Sequence, residues 1–64
     1  MISVDINKFN GALALTGLST DEKPLESVEY HGVTYKVVNS STFYEMDTKK
    51  ITIFDEENQI WYEV

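Results

Sequence analysis

The sequence predicts a mostly β fold: a small antiparallel roll or barrel of five or six short strands, ending in a three-stranded meander. Three observations predict it. His31-Gly32 is a two-residue hairpin signal set between two runs that alternate apolar and polar residues. The last third of the chain alternates in the same way through three segments, divided by the polar turns Asp47–Lys50 and Asp55–Asn58. A second turn signal, Asn10-Gly11, splits the N-terminal apolar residues into two groups.

In the N-terminal third, Ile2, Val4 and Ile6 alternate against Leu13 and Leu15, which is the pattern of a hairpin. The competing pattern is a helix over residues 5–17, capped by Asp5, with Ile6, Phe9 and Leu13 on one side and Gly17 as its stop. That alternative gives an α+β fold, an N-terminal helix packed on an antiparallel sheet. Gly11 in mid-helix costs ~1 kcal/mol relative to Ala, so the hairpin is preferred. Residues 19–26, with Pro24, read as an exposed loop. In the next hairpin Tyr30 pairs with Val33 and Val28 with Tyr35 on one face. Ser27, Glu29, Thr34 and Lys36 lie on the other.

After the polar break at Asn39–Ser41, the four-residue turns predict a meander in which Met46 faces Ile51, Tyr44 faces Ile53, Ile53 faces Ile60 and Ile51 faces Tyr62. Tyr44, Met46, Ile51, Ile53, Ile60 and Tyr62 then form the core face. On the reverse, Phe43 lies opposite Phe54, Trp61 is diagonal to Phe54, and Glu45 and Thr52 lie between them. Lys50 is placed opposite Glu63 as a cross-strand ion pair. Three aromatics on one face form a patch that is either covered by the N-terminal segment, closing a roll, or used as a contact surface.

Charge limits the function classes. Eleven carboxylates stand against five lysines, giving a net charge of −6, and arginine is absent. Nucleic-acid binding depends on Lys and Arg replacing phosphate counterions, so direct binding to nucleic acid or to an anionic membrane is not expected. The chain has no cysteine and one histidine, His31, so neither disulfides nor a zinc site is expected, and no cofactor is implied. With 64 residues, one domain is expected, and its core is marginal without a partner chain. The first ten residues lack the basic and apolar pattern of a signal peptide, and a cytoplasmic location is the expectation. The Lys-only, Ile- and Asn-rich usage suggests an AT-rich genome, such as that of a low-GC bacterium or its phage.

No catalytic pattern is present. His31 falls in a turn, Ser27, Ser40 and Ser41 are in no strained elbow, and three scattered glycines make no phosphate loop. The expected function is a small acidic non-enzymatic protein-binding module, a phage or mobile-element inhibitor that occludes a basic surface of a host protein. Its candidate contact residues are Phe43, Phe54 and Trp61 at the centre and Glu45, Asp55, Glu56 and Glu57 around them, since aromatics dominate interface hot spots and acid speeds encounter with a basic partner. One alternative is a DNA mimic, with Asp21, Glu22, Glu26 and Glu29 extending the acidic field. Another is a structural subunit or homodimer.

Overall fold

The computed structural model describes residues 2–7 and 11–64. Among them are seven strands and no helix: β1 (Ser3–Ile6), β2 (Leu13–Gly17), β3 (Ser27–Tyr30), β4 (Val33–Lys36), β5 (Thr42–Glu45), β6 (Lys50–Asp55) and β7 (Ile60–Glu63). Five of them form one sheet in the order β1-β2-β5-β6-β7, and β3 and β4 form a separate hairpin. The mostly β class and the closing β5-β6-β7 meander agree with the sequence pattern. The roll or barrel does not: the sheet stays open, with β1 and β7 as its edges, and the strands number seven.

The N-terminal segment is a hairpin, which displaces the helical alternative. Val4 pairs with Leu15 and Ile6 with Leu13, so the alternating residues share one side of the sheet. The Asn7 N–H donates to the Ala12 carbonyl (2.7 Å) and the Gly11 N–H to the Asn7 carbonyl (2.8 Å). Gly11 takes a φ of 72°, a left-handed conformation that its missing Cβ permits. The proposed turn residue Asn10, and Phe9 of the helical alternative, lie outside the described residues.

The next strand pairing breaks the antiparallel pattern. β2 and β5 are parallel neighbours, from Ala14 opposite Thr42 to Gly17 opposite Glu45. Parallel strands need a long crossover, and here residues 18–41 supply it as a loop followed by the β3–β4 hairpin. That hairpin has the register read from sequence, Tyr30 opposite Val33 and Val28 opposite Tyr35. His31 and Gly32 have φ values of 52° and 76°, as a type I′ turn requires. The crossover lies on one face of the sheet, over a core of Leu13, Leu15, Val37, Phe43 and Phe54. Ile2, Val4, Val28, Tyr35 and Trp61 pack against that core. Gly17 is needed at the start of the crossover, because a Cβ there would come within 2.8 Å of Phe43 Cζ.

The meander departs from the predicted register by two residues at each turn. Tyr44 pairs with Ile51, Phe43 with Thr52, Ile53 with Tyr62, and Phe54 directly with Trp61. Lys50 faces Glu45, and Glu63 faces Thr52, so the expected Lys50–Glu63 pair does not form. The reason is local. Asp55 accepts from the N–H groups of Glu57 and Asn58 (3.1 and 3.4 Å), which makes it the residue before the turn instead of its first member. The loop then runs Glu56–Gln59, and Gln59 closes it at φ 52°, as Lys49 closes the preceding loop at φ 60°. A shift of two residues keeps each side chain on its face. The assignment of inside and outside is nevertheless reversed. Phe43 and Phe54 are buried, whereas Tyr44, Met46, Ile51, Ile53, Ile60 and Tyr62 are exposed. The N-terminal segment is not the cover; it extends the sheet sideways, and the crossover covers the rings.

Phe43, fully buried at the centre, yields the first prediction. Phe43→Ala removes about 3–5 kcal/mol, as much as the whole core of so small a domain supplies, and the variant is expected to lose its dispersed amide NMR spectrum. Phe43→Leu is expected to stay folded with a lowered urea midpoint. A Phe43→Ala chain as stable as the parent would show that the described core is wrong.

Candidate functional site

The aromatic residues singled out in the sequence are brought together, but inside the molecule. Phe43 and Phe54 are buried and Trp61 is half-buried. The Trp61 ring meets Phe54 at 4.8 Å and Phe43 edge-on at 6.1 Å between centroids. Its indole N–H donates to the Pro24 carbonyl (2.9 Å), which ties the crossover loop to β7. The Lys23 ammonium sits 5.0 Å from the centre of the Phe43 ring. These rings therefore contact their own chain, and the folded surface does not offer Phe43 or Phe54 to another molecule.

The four candidate carboxylates divide between structure and surface. Glu45 is buried and accepts from the Lys23 ammonium (2.6 Å) and the Thr48 hydroxyl (2.6 Å). Hydrogen bonding to Lys23, then to Thr48, holds its carboxyl below the usual range. Asp55 is lowered by the Asn58 side-chain amide, which donates to it at 2.8 Å. Glu56 joins the acidic turn to the crossover: its N–H donates to the Asn39 side chain (2.6 Å), and its carboxylate accepts from the Asn39 N–H (3.3 Å) and lies 3.5 Å from the Lys36 ammonium. Glu57 is exposed. Two further carboxylates fasten loops. Asp47 accepts from the Ser19 hydroxyl (2.5 Å) and N–H (2.9 Å), and Asp21 accepts from the Leu18 N–H (2.8 Å). Those bonds lower both carboxyls.

The feature open to other molecules is the face assigned to the core on sequence. Its side chains follow from the register. One row reads Asp5, Ala14, Thr42, Ile53, Tyr62, a second reads Ser3, Thr16, Tyr44, Ile51, and Asp55 stands beside Ile60. The β1–β2 half is small and polar; the β5–β7 half is apolar. Tyr44, Ile51, Ile53, Ile60 and Tyr62 are each 38–48 % exposed, and no described residue covers them. The area is on the order of several hundred Å², the size at which an apolar patch usually has a use. No lysine lies on these rows, and their acids, Asp5 and Asp55, are at the margins.

Two clefts accompany the crossover. One of about 630 Å³ is lined by Ile2, Asp21, Glu22, Val28, Glu29, Tyr30 and His31, and one of about 420 Å³ lies beside Lys36, Val37 and Glu56. Among the described residues no group of three or more His, Asp or Glu is placed to hold a metal ion. No helix among them is long and apolar enough to cross a membrane. Comparison with protein-family models, curated proteins and solved structures finds no match.

The depressed carboxyls fix the sign of the acid response. A group whose folded pKa lies below its unfolded value stabilises the fold above the unfolded value, and that contribution is lost as pH falls through the folded one. With unfolded values of about 3.9 for Asp and 4.3 for Glu, stability is expected to decline as pH drops below about 4 and to be little changed between 5 and 7. Glu45→Gln should lower the urea midpoint at pH 7 and flatten its fall below pH 4. An acid profile as steep as the parent's would show that the Lys23–Glu45 contact does not carry this linkage.

Proposed function

We propose that this chain is a small acidic, non-enzymatic protein-binding module that acts by docking. The observation that carries the reading is the uncovered β5–β7 face, where Tyr44, Ile51, Ile53, Ile60 and Tyr62 stand exposed together. The aromatic centre inferred from sequence is thereby replaced by residues on the opposite side of the same strands. A net charge of −6 and the turn Asp55-Glu56-Glu57 at one end of this face favour a target with basic surroundings. A modulator of a host protein, encoded by a phage or mobile element and acting in the cytoplasm, fits that chemistry.

Imitation of nucleic acid is less well supported. A mimic needs many carboxylates free to meet a basic groove, since a DNA duplex carries one charge per ~1.7 Å. Here Glu45, Asp47, Asp21 and Asp55 are spent on internal hydrogen bonds.

The test is affinity capture from a bacterial lysate at low and high salt, with the parent chain and Ile53→Glu run in parallel and retained proteins identified by mass. The expected result is a basic protein held by the parent, weakened by salt and lost with Ile53→Glu. Identical retention by both chains overturns the open face as the docking site. Retention abolished by Glu56→Gln with Glu57→Gln, and indifferent to Ile53→Glu, shifts the reading to mimicry.

A further inference from the structure

We infer that a second copy of this chain occupies the open face, the two sheets stacking with their strands running in opposite directions. The inference rests on the reading of that face as a protein-docking surface and names its occupant. Three features of the molecule lead to it.

The first is charge. Strand β6 begins at Lys50, just after Lys49, and ends at Asp55, just before Glu56 and Glu57. Among the described residues neither Lys49 nor Lys50 belongs to an ion pair, and the Glu57 carboxylate has no partner either. The Lys50 side chain lies with Glu45 and Thr52 on the covered side, so the unpaired charges flanking this strand beside the open face are Lys49 in the turn before it and Glu57 in the turn after it. A two-fold axis lying between the sheets and across the strands sets β6 over its own copy with direction reversed. Each lysine end then meets the acidic end of the other copy, twice by symmetry.

The second is the distribution of apolar side chains. The same axis passes near Ile53, the midpoint of the outward series Ile51, Ile53, Asp55. It stacks the β5–β7 half of one copy on the β5–β7 half of the other. The alternative axis, along the strands, would bring like-charged ends together. Placed at the middle strand β5, it would also lay Ile51, Ile53 and Tyr62 over Ser3, Asp5, Ala14 and Thr16.

The third is size. The core cluster has five buried residues, and the chain has no cysteine to staple it. In so small a domain a partner chain is a usual supplement. The molecule measures 26 × 25 × 20 Å, so its broad face is somewhat smaller than, but of the same order as, the ~800 Å² that each partner gives to a standard interface. Stacking at about 10 Å would turn each open sheet into one layer of a sandwich. The crossover layers, with Glu22, Glu26 and Glu29, would stay on the two outer sides.

The experiment is sedimentation velocity of the full chain from micromolar to millimolar concentration, with four variants. The parent is expected to show a monomer–dimer equilibrium. Ile53→Glu should weaken it on the order of a hundredfold or more, since the residue acts at the centre and in both copies. Lys49→Glu and Glu57→Lys should each weaken it about threefold to tenfold, and the two together should restore it. Folding of each variant is checked by its amide spectrum. As a readout that leaves the face nearly intact, Ile53→Cys in this cysteine-free chain should be linked to its own copy by a short bifunctional thiol reagent, and Ser3→Cys at the sheet edge should not. A parent that stays monomeric at millimolar concentration, a dimer indifferent to Ile53→Glu, or a charge reversal with no restoration overturns the inference. A monomeric parent that still loses a captured basic protein on Ile53→Glu overturns self-pairing alone and assigns the face to that protein.

Discussion

The parallel pairing of β2 with β5 is the constraint from which the rest of this structure follows. Two strands that point the same way cannot be joined by a tight turn, so residues 18–41 must leave the sheet and return. In many proteins a helix makes that journey. Here a loop and a two-stranded hairpin make it, and they are long enough to cover one side of the sheet. The covered side holds Phe43, Phe54 and Trp61; no described residue covers the other side. The core, the open apolar face and the limited stability expected of the monomer thus have one topological origin.

The covered layer is fastened by polar contacts as much as by apolar packing. Glu45 would be costly beneath a lid without a partner; Lys23 from the crossover and Thr48 from the following turn satisfy it. Thr52, also buried, donates its hydroxyl to the Phe43 carbonyl at 3.3 Å. Asn39 and Glu56 exchange two hydrogen bonds between the crossover and the β6–β7 turn, and Asp47 holds Ser19. The contacts of Lys23, Asn39 and Ser19 tie the crossover to the sheet and its turns. Several of the chain's acids therefore set the register of one layer on the other, and acidity here is partly architecture.

Much of the fold was legible in the sequence wherever period and turn chemistry were local. Val28-Glu29-Tyr30, His31-Gly32 and Val33-Thr34-Tyr35 specify their hairpin completely. Val4 and Ile6 alternate against Leu13 and Leu15 as a hairpin requires, but the strands are closed by the Asn7–Ala12 hydrogen bond and not by a two-residue turn at Asn10-Gly11. The parallel β2–β5 contact was not legible, because nothing in Leu13–Gly17 or Thr42–Glu45 names a partner so distant in sequence. The choice of buried face failed for a related reason. The strands of the meander carry apolar residues on both sides, and counting favoured the side with three isoleucines. The outcome was decided by which side the crossover lies on and by the larger rings on that side. The candidate site was misplaced by the same inversion: the correct strands, read from the wrong side. Glu56 and Glu57 remained in the turn as expected, because turn residues have no second face to exchange, while Asp55 became the last residue of β6.

The indole hydrogen bond between Trp61 and Pro24 gives the molecule a built-in reporter. It is the sole tryptophan, and it stands under the crossover on the side away from Ile53 and Tyr62. Its emission should therefore redden when the lid loosens and stay nearly constant when something lands on the bare side. An optical signal intrinsic to the chain can thus separate loss of internal packing from occupancy of the exposed strands, without a label on either surface.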